Sequence, residues 1–448
     1  MAQVTAPVRE SSLVRAVGVW GLAASIINVT IGGGIFRLPS AVAASLGAAA
    51  PIAYVVCALV MGLIVLCFAE AGRRVASTGG PYAYVEVAFG PFVGFIAGVL
   101  VWLLGTLAVA AVSTVLADSV GALVPHVRGG VSSHVFLPGT FLVLSVVNIL
   151  GIRQGVRLNA VATVAKLLPL LLLVLVGMFA IHPANLAWTA RPSGGTVARA
   201  SILLIFAFSG VESALVPSGE IQDVWKTVPR AIFIAMSVIT IFYLTLQLVA
   251  QGTLGADLAT QPTPLAEAAT RVFGGWGRPM LLAGATVSMF GYVSGMTLAV
   301  PRCLFAFGRD GFLPRAVAAI HPRFHTPYVA IVLQSAIVCA LAITNGFEKL
   351  AILANLATLI LYGMCCLAAW ELGRRGISAT SSPARRARGI ALISGASCAA
   401  ILWLLTSVTR QEWTVAAGVL VVSSLLFLAT RNRRARARGT GAFGPTIS

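Results

Sequence analysis

Charge is what this sequence lacks. Only 10% of its 448 residues are charged, against roughly 25% in soluble globular domains. Acidic residues are the scarcest, with 13 Asp and Glu against 31 Lys and Arg. Polar connections are short; the longest lie at 252–278 and 308–327, with another basic one at 372–388. These absences exclude a chain that water surrounds, and the mean hydropathy of +0.95 agrees. Chemical signatures are missing as well. The glycine run IGGGIF is not followed by the GK[ST] of a phosphate loop, and no nucleophile elbow or metal-ligand spacing appears. Neither catalysis, ATP hydrolysis, a cofactor nor a metal is therefore expected. His321 and His325 are four apart but sit in a connection beside a proline, and read as loop residues. The seven cysteines lie in or beside apolar segments without disulfide spacing, and read as small apolar packers.

What is there is a succession of apolar segments. A spanning helix needs about 20 mostly apolar residues. Twelve candidates follow one another: roughly 16–46 (broken), 51–72, 92–121, 135–151, 158–181, 198–219 (broken), 229–252, 278–307, 328–345, 349–371, 389–408 and 413–430. The expected fold is an all-α polytopic membrane protein of 12 spans, with one membrane domain over 15–430, a polar tail at 1–14 and a basic tail at 431–448. Residues 1–15 are polar and the first apolar stretch is too long for a cleaved leader. With the N-terminus inside, 22 of the 31 basic residues fall on the cytoplasmic side, seven outside, and Arg37 and Lys166 within segments. Basic residues concentrate in cytoplasmic loops, so both termini are expected on the cytoplasmic face of the inner membrane. This also accounts for the net charge of +18 without a nucleic acid. The tail Arg431–Arg438 suits anionic lipid.

Two segments are interrupted. The first reads INVTIGGGIFRLPS, with Gly32, Gly33 and Gly34 at mid-span; the sixth reads IFAFSGVESALVPSGE, with Ser209 and Gly210 at mid-span. Glycine costs about 1 kcal/mol in a helix interior, so three in a row favour unwinding. Unwound backbone at membrane depth persists only where it lines a cavity. Matched interruptions in two halves mark the binding site of many carriers. Further echoes follow. Gly79-Gly80-Pro81 to Phe89-Gly90 comes after segment two, and Pro262-Thr263-Pro264 to Phe273-Gly274 after segment seven. Segments one to five and six to ten start on opposite sides, so the halves (about 15–181 and 196–371) are expected to be inverted repeats, with two extra helices at about 389–430.

Lys166 lies nine residues beyond Arg157, about 13 Å into the membrane at 1.5 Å per residue. That is near the midplane, where an ammonium is costly and must find partners. Burial lowers a lysine pKa, so it either carries a proton or stays as a fixed cation. Arg37 lies on the outer side of the first break, and either attracts anions or runs out to the surface; the second is favoured.

IGGGIFRLP (31–39), FAEAGRRVASTGGPYAYVEVAFGPFVGF (68–95), NAVATVAKLLPLL (159–171), FAFSGVESALVPSGEIQDVWKTVPRAI (206–232) and FGRDGFLPRAVAAIHPRFHTP (307–327) together resemble the amino acid–polyamine–organocation superfamily, whose members have the LeuT-type fold. The resemblance runs from about residue 15 to 430. It implies a secondary active amino acid permease working by alternating access, with a four-helix bundle of segments 1, 2, 6 and 7 rocking against a scaffold. It implies a substrate carboxylate against the amides near Gly32, Gly33 and Gly34. It implies an ammonium against carbonyls of Phe206, Ala207 and Ser209, beside Gly210, with help from Thr30. Phe206 stands where the family gates its site with an aromatic. Lys166 matches a lysine that replaces sodium in sodium-independent relatives. Glu212, just past the second break, either caps the following half-helix or titrates.

Segment three is small and apolar at LLGTLAVAA (103–111), and Met296 of segment eight aligns with a cation-stacking tryptophan of the arginine–agmatine antiporter. Cations need stacking faces or acids, so a neutral amino acid is expected, in symport with protons or in exchange as an antiporter. The alternatives are a cationic amino acid or polyamine antiporter and an amino acid receptor that does not transport. A major-facilitator-type carrier is disfavoured, since it needs a long connection after segment six.

Overall fold

The structure is a computed structural model, and it describes residues 18–75, 81–123, 130–150, 156–188, 191–210, 224–377 and 387–439. Sixteen α-helices appear among them: α1 (Val19–Thr30), α2 (Leu38–Leu46), α3 (Ala50–Arg74), α4 (Pro81–Phe89), α5 (Pro91–Leu123), α6 (Gly130–Ile149), α7 (Val156–Gly177), α8 (Gly194–Phe208), α9 (Val224–Leu254), α10 (Pro264–Phe273), α11 (Gly277–Ala299), α12 (Pro301–Arg309), α13 (Tyr328–Thr344), α14 (Phe347–Arg374), α15 (Ala387–Leu405) and α16 (Arg410–Gly439). The described residues contain no strand. In lipid, a helix satisfies every backbone group within its own segment, so apolar runs of this length fold this way.

Six of the helical stretches are long and apolar enough to cross a membrane, and six more are apolar but shorter. Val19–Thr30 and Gly194–Phe208 are among the short ones, because the glycine breaks cut them. The exterior bears large apolar side chains, including Phe179 (92% exposed), Leu392 (75%) and Phe233 (74%). Water would penalise such a surface by about 25 cal/mol per Å², whereas lipid accepts it.

The helices pack in two sets. α9 contacts α1 and α3, and α3 contacts α8; α5 contacts α11, α13 and α14, while α7 contacts α11. α14 also touches α3 and α8. Buried polar groups fasten the first set and tie it to α14. Tyr54 of α3 donates to Gln247 of α9 at 3.1 Å, and Asn355 of α14 donates to the Ile202 carbonyl of α8 at 2.7 Å. In the second set, Gln334 of α13 accepts from Trp102 and donates to Thr106, both on α5. At Gly284 of α11 a Cβ would collide with the Ala165 carbonyl of α7. That close approach seats α7 one residue before Lys166.

The two echoes in the sequence have the same local form. Helix α4 opens with Pro81 and is followed by Gly90 at φ +88; helix α10 opens with Pro264 and is followed by Gly274 at φ +74. Proline at the start is preset for a helix, and a positive φ needs glycine. A long helix then follows each: α5 and α11.

The N-terminal part of α8 is held to α16 by Arg199, whose guanidinium donates to both Glu412 oxygens at 2.8 and 2.7 Å and to the Ser407 carbonyl at 3.3 Å. Two parallel charge-assisted bonds fix direction as well as distance. Glu412→Gln is expected to lower the thermal midpoint in detergent by a few degrees, read by scanning fluorimetry. An unchanged midpoint would mean that α16 does not brace α8.

Candidate functional site

Helix α1 ends at Thr30. Ile31 leaves the helical region with φ −73 and ψ 80, Gly32 is extended, and a 3-10 turn restarts at Gly33–Phe36 before α2. Helix α8 ends at Phe208; Ser209 is extended with ψ 157, and Gly210 takes φ +117. Ending two helices inside an apolar interior frees carbonyls at their C-termini and amides where the chain restarts.

The two breaks touch each other. A Cβ on Gly210 would sit 3.1 Å from Val29 and 3.5 Å from the Thr30 backbone, and a Cβ on Gly34 would sit 2.7 Å from the Phe206 ring. The Phe206 ring in turn meets Phe347 edge-on, with centroids 5.6 Å apart. On the far side, a Cβ on Gly33 would meet Val112 of α5 at 2.8 Å and Met289 of α11 at 3.0 Å. The breaks therefore lie between the set of α1, α3, α8 and α9 and the helices α5 and α11.

Each predicted residue has a definite place. Thr30, Gly33, Gly34 and Ala207 are buried, and Gly32, Phe206, Ser209 and Gly210 are half-buried around the same point. Met296 stands apart: it lies near Gly105 of α5, seven residues past the Met289 that meets Gly33. Glu212 lies outside the described residues. Lys166 is 9% exposed, and its ammonium donates to the Asn28 carbonyl of α1 at 2.6 Å. It thus connects α7 to the last turn before the first break. Arg37 does not run out to the surface; it is half-buried and donates to the Gln261 carbonyl at 3.2 Å.

The sequence reading passed over Tyr243. Its hydroxyl is buried on α9, 3.1 Å from both the Thr30 and the Ala207 carbonyls. It bridges the freed ends of the two broken helices. Ser209 meanwhile turns its hydroxyl back to the Ile205 carbonyl at 2.7 Å, and the Thr30 hydroxyl has no partner. The available signal was a tyrosine sharing a helix face with Gln247 and Gln251 at a spacing of four inside an apolar segment, since a buried phenol normally finds an acceptor.

An apolar helical protein with two facing helix breaks, freed backbone dipoles and one interior ammonium has the build of a membrane carrier. The chain belongs to the amino acid permease family, whose model matches residues 17–429. It is therefore a membrane transport protein and not an enzyme. It is 27% identical to the serine/threonine exchanger SteT of Bacillus subtilis (strain 168), over 82% of this chain and 85% of that protein. It is 27% identical to the branched-chain amino acid permease BcaP of the same organism, over 92% of this chain and 91% of that one. It is also 26% identical to that organism's methylthioribose transporter, over 93% and 95%.

Proposed function

We propose that the protein is a sodium-independent secondary active transporter of neutral L-amino acids. It works by alternating access across the cytoplasmic membrane, with proton coupling or obligatory exchange. The observation that carries this reading is the meeting of the two helix breaks, with Gly34 against Phe206 and Gly210 against Thr30. Amides opening the turn at Gly33 suit a carboxylate, since they carry the positive end of a helix dipole. Carbonyls ending α8 and the free Thr30 hydroxyl suit an ammonium. Gly33, Gly34 and Phe206 would bind the substrate, and Phe206 with Phe347 would cover it.

The twelve-span reading, as five plus five inverted spans and two more, draws support from the shared form of the two echoes, where Gly90 follows α4 and Gly274 follows α10. The domain limits of 15–430 with tails at 1–14 and 431–448, and the cytoplasmic placing of both termini, belong to the same reading. Lys166 stands for the sodium ion, its ammonium bonded to the Asn28 carbonyl. The walls nearest Gly33 are Val112 and Met289, which offer neither an acid nor an aromatic face to a cation. That favours a neutral side chain over an arginine or a polyamine. The relatives' names span hydroxylated and branched amino acids and a thio-sugar, so side chains at these walls set the choice.

Purified protein in liposomes should take up labelled L-serine, L-threonine or L-leucine from a panel. Uptake should be indifferent to an imposed sodium gradient, and driven by a proton gradient or by internal unlabelled amino acid. Saturable binding with no uptake under any gradient would make it a receptor. Uptake confined to arginine, agmatine or putrescine would make it a cation antiporter. Sodium-dependent uptake would remove the role given to Lys166.

A further inference from the structure

Asn355 puts a polar amide in the apolar interior of α14. It is 1% exposed and lies eight residues beyond Phe347, whose ring meets Phe206. Its amide nitrogen donates to the Ile202 carbonyl of α8 at 2.7 Å, with the Leu203 carbonyl 3.4 Å away. Both partners are carbonyls, so the nitrogen and not the oxygen faces α8. The bond fills no gap in the backbone of α8. That helix runs through Phe208, and in an α-helix these two carbonyls already accept from the amides four residues on, those of Phe206 and Ala207. A carbonyl has two lone pairs and takes both donors. Asn355 therefore holds, from outside the helix, the same acceptors that hold the last turn before the second break. That turn carries Phe206, which stands over Gly34, and Ala207, whose carbonyl accepts from Tyr243. α14 thus meets the end of α8 ring on ring at Phe347 and amide on carbonyl at Asn355, about 12 Å apart along its axis.

We infer that Asn355 is a positioning residue for the substrate site. Through the Ile202 carbonyl it sets the angle at which α8 ends, and so holds Phe206 against Phe347 and aims the Ala207 carbonyl. This role rests on the central amino acid site proposed above. An amide buried at membrane depth costs free energy unless it is bonded, and a leucine would fill nearly the same volume without that cost. Hydrogen bonds between helices add little to folding in a bilayer. What the amide adds is one defined seating of α8 on α14, as satisfied polar contacts do in an apolar interior. A pair of rings tolerates sliding, since several edge and offset arrangements are nearly equal in energy. A bond of 2.7 Å to one carbonyl does not tolerate it.

Asn355→Leu removes the donor with little change of shape, and the purified full-length protein is tested in two ways. The first is amide hydrogen exchange in detergent, read by mass spectrometry. Exchange at Phe206, Ala207 and Phe208 should rise by about tenfold through local opening, with the amides at the middle of α3, α5 and α11 unchanged. No rise at the end of α8 would overturn the inference. So would an equal rise in every helix, the mark of a general loss of stability. The second is uptake of labelled L-serine and L-leucine in liposomes by Asn355→Leu, Phe206→Leu and the two combined. Asn355→Leu alone should raise KM by about tenfold and leave kcat within about twofold. Because it acts through Phe206, the combined variant should match Phe206→Leu. KM effects that multiply would overturn the inference. Wild-type protein that transports neither probe nor any other amino acid would instead defeat the proposed function, and the exchange measurement would still decide the role of Asn355.

Discussion

Gly33→Ala should fold and insert normally yet transport about 10- to 100-fold more slowly than the wild type, for a cost of about 1–3 kcal/mol in an overpacked interior. The added methyl has nowhere to go. It would stand 2.8 Å from a Val112 methyl and 3.0 Å from Met289, closer than non-bonded carbons approach. The clash is not one of backbone conformation, since Gly33 is absent from the positive-φ glycines. It falls where the breaks of one helix set press on α5 and α11 of the other. Those surfaces must move past one another in any alternating-access cycle, so the penalty falls on transport more than on folding. Gly33→Ala combined with Val112→Ala should recover part of the rate, because the second change removes the nearest methyls. Initial uptake rates in liposomes, with gel-filtration profiles as the folding control, decide it. Wild-type transport in Gly33→Ala would show that this contact opens without cost and that the break is not the moving part.

Lys166→Ala should cost a comparable factor for an electrostatic reason. The ammonium is 2.6 Å from the Asn28 carbonyl, and removing it deletes a charge-assisted hydrogen bond between α7 and α1. Such a loss costs about 1–3 kcal/mol, and a few kcal/mol suffice to depopulate one of two transport states. The seating of α1 against α7 should loosen and transport should fall by roughly 10- to 100-fold. Lys166→Arg then separates two roles. Arginine keeps its charge at all working pH values. Retained uptake in Lys166→Arg with its proton dependence intact would make the residue a fixed cation. Loss of proton-driven uptake with exchange preserved would make it the proton carrier. Full activity in Lys166→Ala would remove it from the mechanism.

Depth was easier to read from the sequence than contact. A residue's distance from a helix end converts to ångströms at 1.5 Å per residue, and so the interior places of Lys166, Gly33 and Gly34 were legible. Which residue of a long helix meets a given partner was not. Met289 and Met296 are seven residues apart, so they share one helix face to within about 20° and differ by about 10 Å along it. Both fit the face that looks toward the break, and only the docking of α11, set where Gly284 meets the Ala165 carbonyl, puts Met289 there. Tyr243 was missed for a similar reason. Its acceptors, the Thr30 and Ala207 carbonyls, are backbone atoms that no side-chain pattern advertises. Arg37 was misread because a long cation near a segment end ordinarily reaches for water. Here a loop carbonyl 224 positions away reaches it first.

By itself the sequence determined that the chain is helical, that it belongs in a bilayer and that two of its helices must come apart. Those follow from local quantities: charge density, the length of apolar runs, and glycine's cost in a helix. Tertiary structure decided that the two broken ends face each other, that Phe206 lies over Gly34, and that the lysine finds the Asn28 carbonyl. Those are properties of how helices far apart in the chain dock. They depend on side-chain volumes across an interface, and one helix's own periodicity does not contain them.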